Sequence, residues 1–253
     1  MRVCVLSSGS KGNCTYIETS NHKILIDIGT SCLYVEKSLQ NINVLPQEID
    51  TILITHSHVD HISGLKVFEK KYHPNIYLTP LILEEINLTF ANVYFINEEV
   101  ELDNTKIIAF KTSHDTKDSN GYIVIENNSS VVYITDTGYI NEKYFNILSN
   151  RNIYIFESNH EVEKLMNNPH YPHHIKIRIL SDKGHLSNKD SAYYLSNFIG
   201  CDTKEVILAH LSEENNTEEL AITTLKNTLE KRNIKFDNIQ IAKQNIPSEV
   251  FEI

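Results

Sequence analysis

Thr55-His56-Ser57-His58-Val59-Asp60-His61 concentrates three imidazoles and a carboxylate between positions 56 and 61. The stretch follows the apolar run Ile52-Leu53-Ile54 and precedes an amphipathic pattern. The spacing therefore predicts a strand over Thr51–Thr55 that runs into a helix over Asp60–Tyr72. In extended backbone, residues two apart project to the same side, so His56 and His58 can share one metal ion. The turn into the helix aims Asp60 and His61 at an adjacent point, and two neighbouring divalent ions are the natural outcome. Imidazole nitrogen suits zinc, iron or manganese, and carboxylate is the usual bridge between two such ions.

Working outward, similar strand ends recur. His114 closes the run from Ile107, Asp136 closes Val131-Val132-Tyr133-Ile134-Thr135, and His210 closes Val206-Ile207-Leu208-Ala209. Side chains at strand ends are held by a rigid sheet, as a catalytic metal site requires. An internal echo is also present. Ile24-Leu25-Ile26-Asp27-Ile28-Gly29 and Val132-Tyr133-Ile134-Thr135-Asp136-Thr137-Gly138 both carry an apolar strand into Asp-x-Gly, and each is followed by a helical pattern. Two similar halves facing one another, with Asp27 and Asp136 in related positions, are expected.

Short β-branched runs alternate with helical patterns along the chain. Strands are expected at Val3–Leu6, Thr15–Glu18, Lys23–Asp27, Thr51–Thr55, Ile107–Lys111, Tyr122–Glu126, Val131–Thr135, Ile153–Phe156 and Val206–Ala209. Helices are expected at Ser31–Gln40, Asp60–Tyr72, Pro80–Glu85, Asn188–Ile199 and Glu218–Lys231, the last two capped by Ser187 and Thr217. Hairpin-like pairs beside βα units imply mixed sheets. No Pro/Gly/Ser-rich linker interrupts the 253 residues, so a single domain over residues 1–253 is expected.

Composition narrows the function. Hydrophobic residues make up 41% and charged residues 22%, which excludes collagen-like and disordered chains. A net charge of −10 leaves no broadly basic surface for nucleic acid, although bound divalent ions would reverse the charge locally. No apolar run is long enough for a membrane helix, and Met1–Ser8 lacks a signal-peptide core. Cys4, Cys14, Cys32 and Cys201 show no CxxC spacing and read as reduced thiols, so the expected location is the cytoplasm, with no membrane association and no obligate protein partner.

The order Asp27, His56-x-His58-x-Asp60-His61, His114, Asp136, His210 resembles the metallo-β-lactamase fold hydrolases over essentially the whole chain. The resemblance implies an α/β architecture, a four-layer αβ/βα sandwich with two mixed sheets and a dinuclear site at their edge. It implies that His56, His58 and His114 hold one ion and Asp60, His61 and His210 the other, with Asp136 bridging them. Asp27 would hydrogen-bond the histidine loop without binding metal. The short gap between Asp136 and His210 leaves no room for the inserted cap domain of larger relatives.

Glu157 and His160 in Phe156-Glu157-Ser158-Asn159-His160, His185 in Ser181-Asp182-Lys183-Gly184-His185, and His210-Leu211-Ser212 are similar to motifs of the tRNA 3′-processing endonucleases of the same superfamily. There a Glu–His pair delivers a proton to the leaving oxygen. By that resemblance His185 is the general acid, Glu157 its orienting partner, and a metal-held hydroxide attacks phosphorus beside Asp60. The opening Leu6-Ser7-Ser8-Gly9-Ser10-Lys11-Gly12-Asn13-Cys14, together with Thr112-Ser113-His114-Asp115-Thr116 and the Glu157 and His185 segments, most resembles the YycJ (WalJ) branch of bacterial phosphodiesterases. That branch implies a DNA exonuclease acting 5′→3′.

Substrate contacts are expected from the glycine-containing loop with Ser10, Lys11 and Asn13, from Asn159 and His160, and from the locally basic Lys176, Arg178 and Lys183. The rival readings are a hydrolase of a cyclic phosphodiester, lactone or thioester, a tRNA-processing type of ribonuclease, and a non-catalytic metal-binding module. A panel of a generic phosphodiester, a lactone and 5′-phosphorylated DNA separates them.

Overall fold

Strands and helices alternate along residues Met1–Ile253, all of which a computed structural model describes. In chain order they are β1 (Arg2–Ser7), β2 (Cys14–Glu18), β3 (Lys23–Ile26), α1 (Cys32–Asn41), β4 (Thr51–Leu53), α2 (Val59–Ile62), α3 (Leu65–Tyr72), β5 (Asn75–Leu78), α4 (Pro80–Ile86), β6 (Val93–Phe95), β7 (Glu99–Leu102), β8 (Thr105–Lys111), β9 (Asn120–Glu126) and β10 (Ser129–Ile134). There follow α5 (Phe145–Leu148), β11 (Ile153–Glu157), α6 (Val162–Asn167), α7 (His173–Ile179), α8 (Asn188–Phe198), β12 (Glu205–Ala209), α9 (Glu218–Lys231), β13 (Ile239–Ile241) and β14 (Phe251–Glu252).

The strands form two sheets of seven, ordered β14-β1-β2-β3-β4-β5-β6 and β13-β12-β11-β10-β9-β8-β7. Both are mixed. In the first, β1–β3 pair antiparallel and β3–β6 parallel. In the second, β7–β8 pair antiparallel and β10–β13 parallel. No helix is long and apolar enough to cross a membrane.

The chain divides into two compact units. One comprises Met1–Ala109, Thr116–Ser129 and Ala242–Ile253; the other comprises Phe110–Asp115 and Ser130–Ile241. The first unit buries Leu6, Tyr16, Leu25, Ile52, Leu65, Phe68 and Ile76 against Val35 and Leu39 of α1. The thiols of Cys4, Cys14 and Cys32 are also inside this core, whereas Cys201 is exposed. The second unit is built around Phe198. Its ring meets Phe145 edge-on at 5.1 Å and Phe156 at 6.2 Å, while the buried Tyr154 donates its hydroxyl to the carbonyls of Leu148 and Phe198.

Caps fix where the helices begin. Ser31, Thr79, Ser187 and Thr217 each accept a backbone N–H from the first turn of α1, α4, α8 and α9 respectively. One expected helix is two. The amphipathic run from Asp60 to Tyr72 breaks at Ser63-Gly64, because the Gly64 N–H donates to Ile28 O at 2.9 Å and a Cβ there would lie 2.2 Å from Thr30 O. Backbone approaches backbone at this point, which only glycine permits.

Candidate active site

In the first unit the histidine loop is anchored by the chain that leaves β3. Asp27 takes a left-handed φ of 61°, which turns the backbone out of the sheet at the strand's end. Its Oδ1 accepts from Thr55 N at 2.9 Å, and its Oδ2 accepts from Thr55 Oγ1 at 2.8 Å and from His61 Nδ1 at 2.7 Å. Thr55 Oγ1 also lies 3.0 Å from His56 Nδ1. A proton on Nδ1 of both rings satisfies these contacts and leaves the Nε2 lone pairs of His56 and His61 pointing away from the anchor. Asn13 reinforces this, with its Nδ2 at 3.0 Å from His61 Nε2. His56 Nε2 in turn lies 3.2 Å from His58 Nδ1.

The backbone locks the same loop. Asn13 N donates to Asp60 O, Gly29 N to Asn13 O, and Ile28 N to His61 O, all at 2.8–2.9 Å. A Cβ on Gly29 would sit 1.6 Å from Asp60 O, so the three segments can meet only around a glycine. Burial lifts the Asp27 carboxyl above its ordinary range, and the charge and hydrogen bonds of His61 and Thr55 pull it the other way.

The second unit repeats the design. Asp136 follows β10 with φ 57°, and Glu157 closes β11. Glu157 Oε2 accepts from Thr137 N at 2.9 Å, and Oε1 lies 2.7 Å from His185 Nδ1 and 3.1 Å from His210 Nδ1. Asp136 Oδ1 is 3.5 Å from His185 Nδ1, 3.5 Å from His210 Nε2 and 3.8 Å from His114 Nε2. His114 Nδ1 meets Gly184 O at 3.2 Å, and Asn159 Nδ2 donates to His210 O at 2.8 Å.

Asp136, Glu157, His185 and His210 each offer one donor atom, all within 4.8 Å of one another. Glu157 Oε1 and His185 Nδ1 are engaged with each other at 2.7 Å, so Asp136 and His210 are the donors of this set that suit a divalent cation. Burial alone would raise the Glu157 carboxyl, but the charge and hydrogen bonds of His185 and His210 hold it below the usual carboxylate range. Burial would strip the proton from His185, and Glu157 and Asp136 outweigh it to raise the ring's pKa.

The structure thus gathers His56, His58, His61, Asp27 and Asn13 in one unit, and His114, Asp136, Glu157, His185, His210 and Asn159 in the other. Ser10, Lys11 and Lys183 are exposed. Lys176 departs from expectation. It is buried and its ammonium donates to Met166 O at 2.7 Å, so it braces α6 and α7 and does not face a phosphate. Arg178 is paired with Asp115, the neighbour of His114. Asn13 is fully buried behind the histidine loop, which is a holding position and not an open rim. His160 is 1% exposed with neither ring nitrogen hydrogen-bonded, and burial lowers its pKa to about 4, so the ring is neutral.

Three polar residues were not singled out from sequence. Thr55 opens the histidine motif, but its spacing alone assigns it no role. Asn188 and Asn216 form a buried amide pair that holds Ser158 Oγ and the carbonyls of Ser158 and Asn159. They come from the α8 start and the segment before α9, and no local signal joins them.

Residues 8–210 match the family described as the Metallo-beta-lactamase superfamily. The chain is 37% identical over 234 residues to the exodeoxyribonuclease WalJ of Streptococcus pneumoniae, covering 89% of this chain and 87% of that protein. It is 34% identical over 235 residues to the exodeoxyribonuclease YycJ of Bacillus anthracis, covering 90% and 89%. Among solved structures it superposes on the metallo-beta-lactamase fold protein YhfI of Bacillus subtilis with a TM-score of 0.74 at 17% identity, covering 98% of each chain.

Proposed function

The chain belongs to the metallo-beta-lactamase superfamily, and from that premise we propose that it is a metal-dependent exodeoxyribonuclease that shortens DNA 5′→3′ in the cytoplasm. What carries this reading is the identity of 34–37% across about nine-tenths of the chain to two proteins named exodeoxyribonucleases. The cofactor would be two divalent ions, zinc, manganese or iron; His56, His58 and His114 would hold one and Asp60, His61 and His210 the other, with Asp136 available to both. When bound, such ions polarise phosphoryl oxygens and lower the pKa of water from 15.7 toward about 7.

The chain's own residues do the remaining work. Asp27 and Thr55 hold the His56 and His61 rings in the tautomer that presents Nε2, and Asn13 and Gly29 fix the loop that carries Asp60. Glu157 Oε1 takes the Nδ1 side of His185, which leaves Nε2 to give its proton to the departing oxygen. A positioned donor of this kind supplies ~10²–10⁴-fold in rate. The cations also offset the net charge of −10 where a polyanion must approach.

The test is a DNA strand labelled at either end, incubated with the protein and manganese or zinc. Stepwise release of mononucleotides from the 5′ end is expected. Internal fragments would make it an endonuclease. Inert DNA together with rapid opening of a lactone or thioester would replace the nuclease reading with small-molecule hydrolysis.

A further inference from the structure

The second unit carries two adjoining clefts that the metal chemistry does not use. The larger, of about 400 Å³, lies between Tyr139, Phe145, Tyr193 and Tyr194. The smaller, of about 250 Å³, lies between Lys111, Lys143, Tyr139 and Tyr144. Tyr139 and Asn141 line both, so the two clefts adjoin and are taken together as one groove.

The groove is built and not incidental. Tyr194 and Tyr144 are pinned by their hydroxyls, which accept from Ile140 N at 3.1 Å and Lys111 N at 3.2 Å. Tyr139 and Tyr193 are 41% and 48% exposed, large aromatic faces left toward solvent. Positive charge accompanies the rings. The Arg232 guanidinium lies 5.4 Å from the Tyr193 ring centre and the Lys143 ammonium 4.8 Å from that of Tyr144. Two lysines and no carboxylate line the smaller cleft, and Glu142 is the single acid lining the larger.

The groove also joins the ligand-bearing loops directly. Tyr139 stands three residues after Asp136, and Ser113 stands immediately before His114. Ser113 N donates to Thr137 Oγ1 at 3.1 Å, Gly138 N to Ser113 O at 3.0 Å, and Thr137 Oγ1 to Tyr139 O at 2.7 Å. These bonds tie the cleft residues Ser113 and Tyr139 to the segments that carry His114 and Asp136.

We propose that this groove holds the single-stranded DNA on one side of the scissile phosphate, stacking bases on Tyr139 and Tyr193 and pairing phosphates with Lys143 and Arg232. The proposal rests on the nuclease reading and specifies its substrate form. Exposed rings beside cations in an otherwise acidic protein are the elements by which proteins grip a single strand without reading its sequence. A lactone or a thioester would need neither.

The experiment uses fluorescein-labelled dT20 with phosphorothioate linkages, which binds without being consumed. Tyr139→Ala and Tyr193→Ala are each expected to weaken its binding about ten-fold, the range for loss of one stacked base. Tyr139→Phe should restore binding, because the ring face and not the hydroxyl is used. With cleavable substrates, the preference for dT20 over a dinucleotide should fall by about the same factor in the alanine variants. Alanine variants that bind dT20 within two-fold of the unaltered protein, with the length preference intact, overturn the groove and leave the nuclease standing. Tyrosine-dependent binding of dT20 by a protein that releases no nucleotide supports the groove and removes the nuclease.

Discussion

Asp27 and Asp136 show how far a residue can be read from sequence. Their shared strand-Asp-x-Gly setting is legible in the chain, and both take a left-handed φ near 60° at a strand's end, Asp27 immediately after β3 and Asp136 one residue further on from β10. Their local pattern alone does not tell the two apart, and only the resemblance gave them different roles; in the structure one carboxylate bonds Thr55 and His61 while the other lies among His114, His185 and His210. The difference comes from partners far along the chain. Asn13 is the same case: its local setting suggested an anion loop, and contacts 47 and 48 residues away place it behind Asp60 and His61. His185 supplies the sharpest residue-level prediction. His185→Ala should lower kcat on DNA by ~10²–10⁴ with metal content unchanged by elemental analysis. An ester of an acidic phenol, whose leaving group needs no proton, should lose far less. Equal losses on both substrates would take His185 out of the chemistry.

Elements were most legible where they are interior. The expected strands that form β1–β4 and β8–β12 are present within a residue or two. The strands not foreseen include β6, β7, β13 and β14, which are the four sheet edges and have two to four residues each. β6, β13 and β14 span only two or three residues, and Glu99-Val100-Glu101-Leu102, although alternating, bears charges that discourage further pairing. β5 lies inside the sheet and is also absent from the expected strands. The loop between β3 and α1 makes a prediction at this scale. Gly29→Ala should cost about 3 kcal/mol in urea unfolding, since the added methyl meets Asp60 O with no side chain able to yield. A second concerns the brace between α1 and α3. Hydrogen bonds from Lys71, Tyr72 and Cys32 hold the Glu36 carboxyl down to about 2 from an ordinary 4.5. A depressed folded pKa stabilises above the unfolded value and is lost as pH falls from 4.5 toward 2. Glu36→Gln should therefore cost about 1 kcal/mol at pH 7 and almost nothing at pH 2, by denaturation at each pH. A difference independent of pH would assign the brace to packing.

At the scale of the molecule, the resemblance read from scattered motifs and the family match agree, because the motif residues sit at strand ends whose order along the chain is fixed by the fold. The chain passes between its two compact units four times, at Ala109–Phe110, Asp115–Thr116, Ser129–Ser130 and Ile241–Ala242, so neither is a continuous piece of sequence. We expect one unfolding transition, with calorimetric and van't Hoff enthalpies equal; two separate transitions would make the units independent domains. The distribution of sulfur turns that expectation into a clock. Cys4, Cys14 and Cys32 are sealed in the first unit and Cys201 lies open on the second. A thiol-specific chromophore added to the native protein should register one fast event, then three slow ones that keep pace with each other. Where modification outruns reclosing, the slow phase counts how often the first unit breathes wide enough to admit a reagent, read without a mutation or a denaturant.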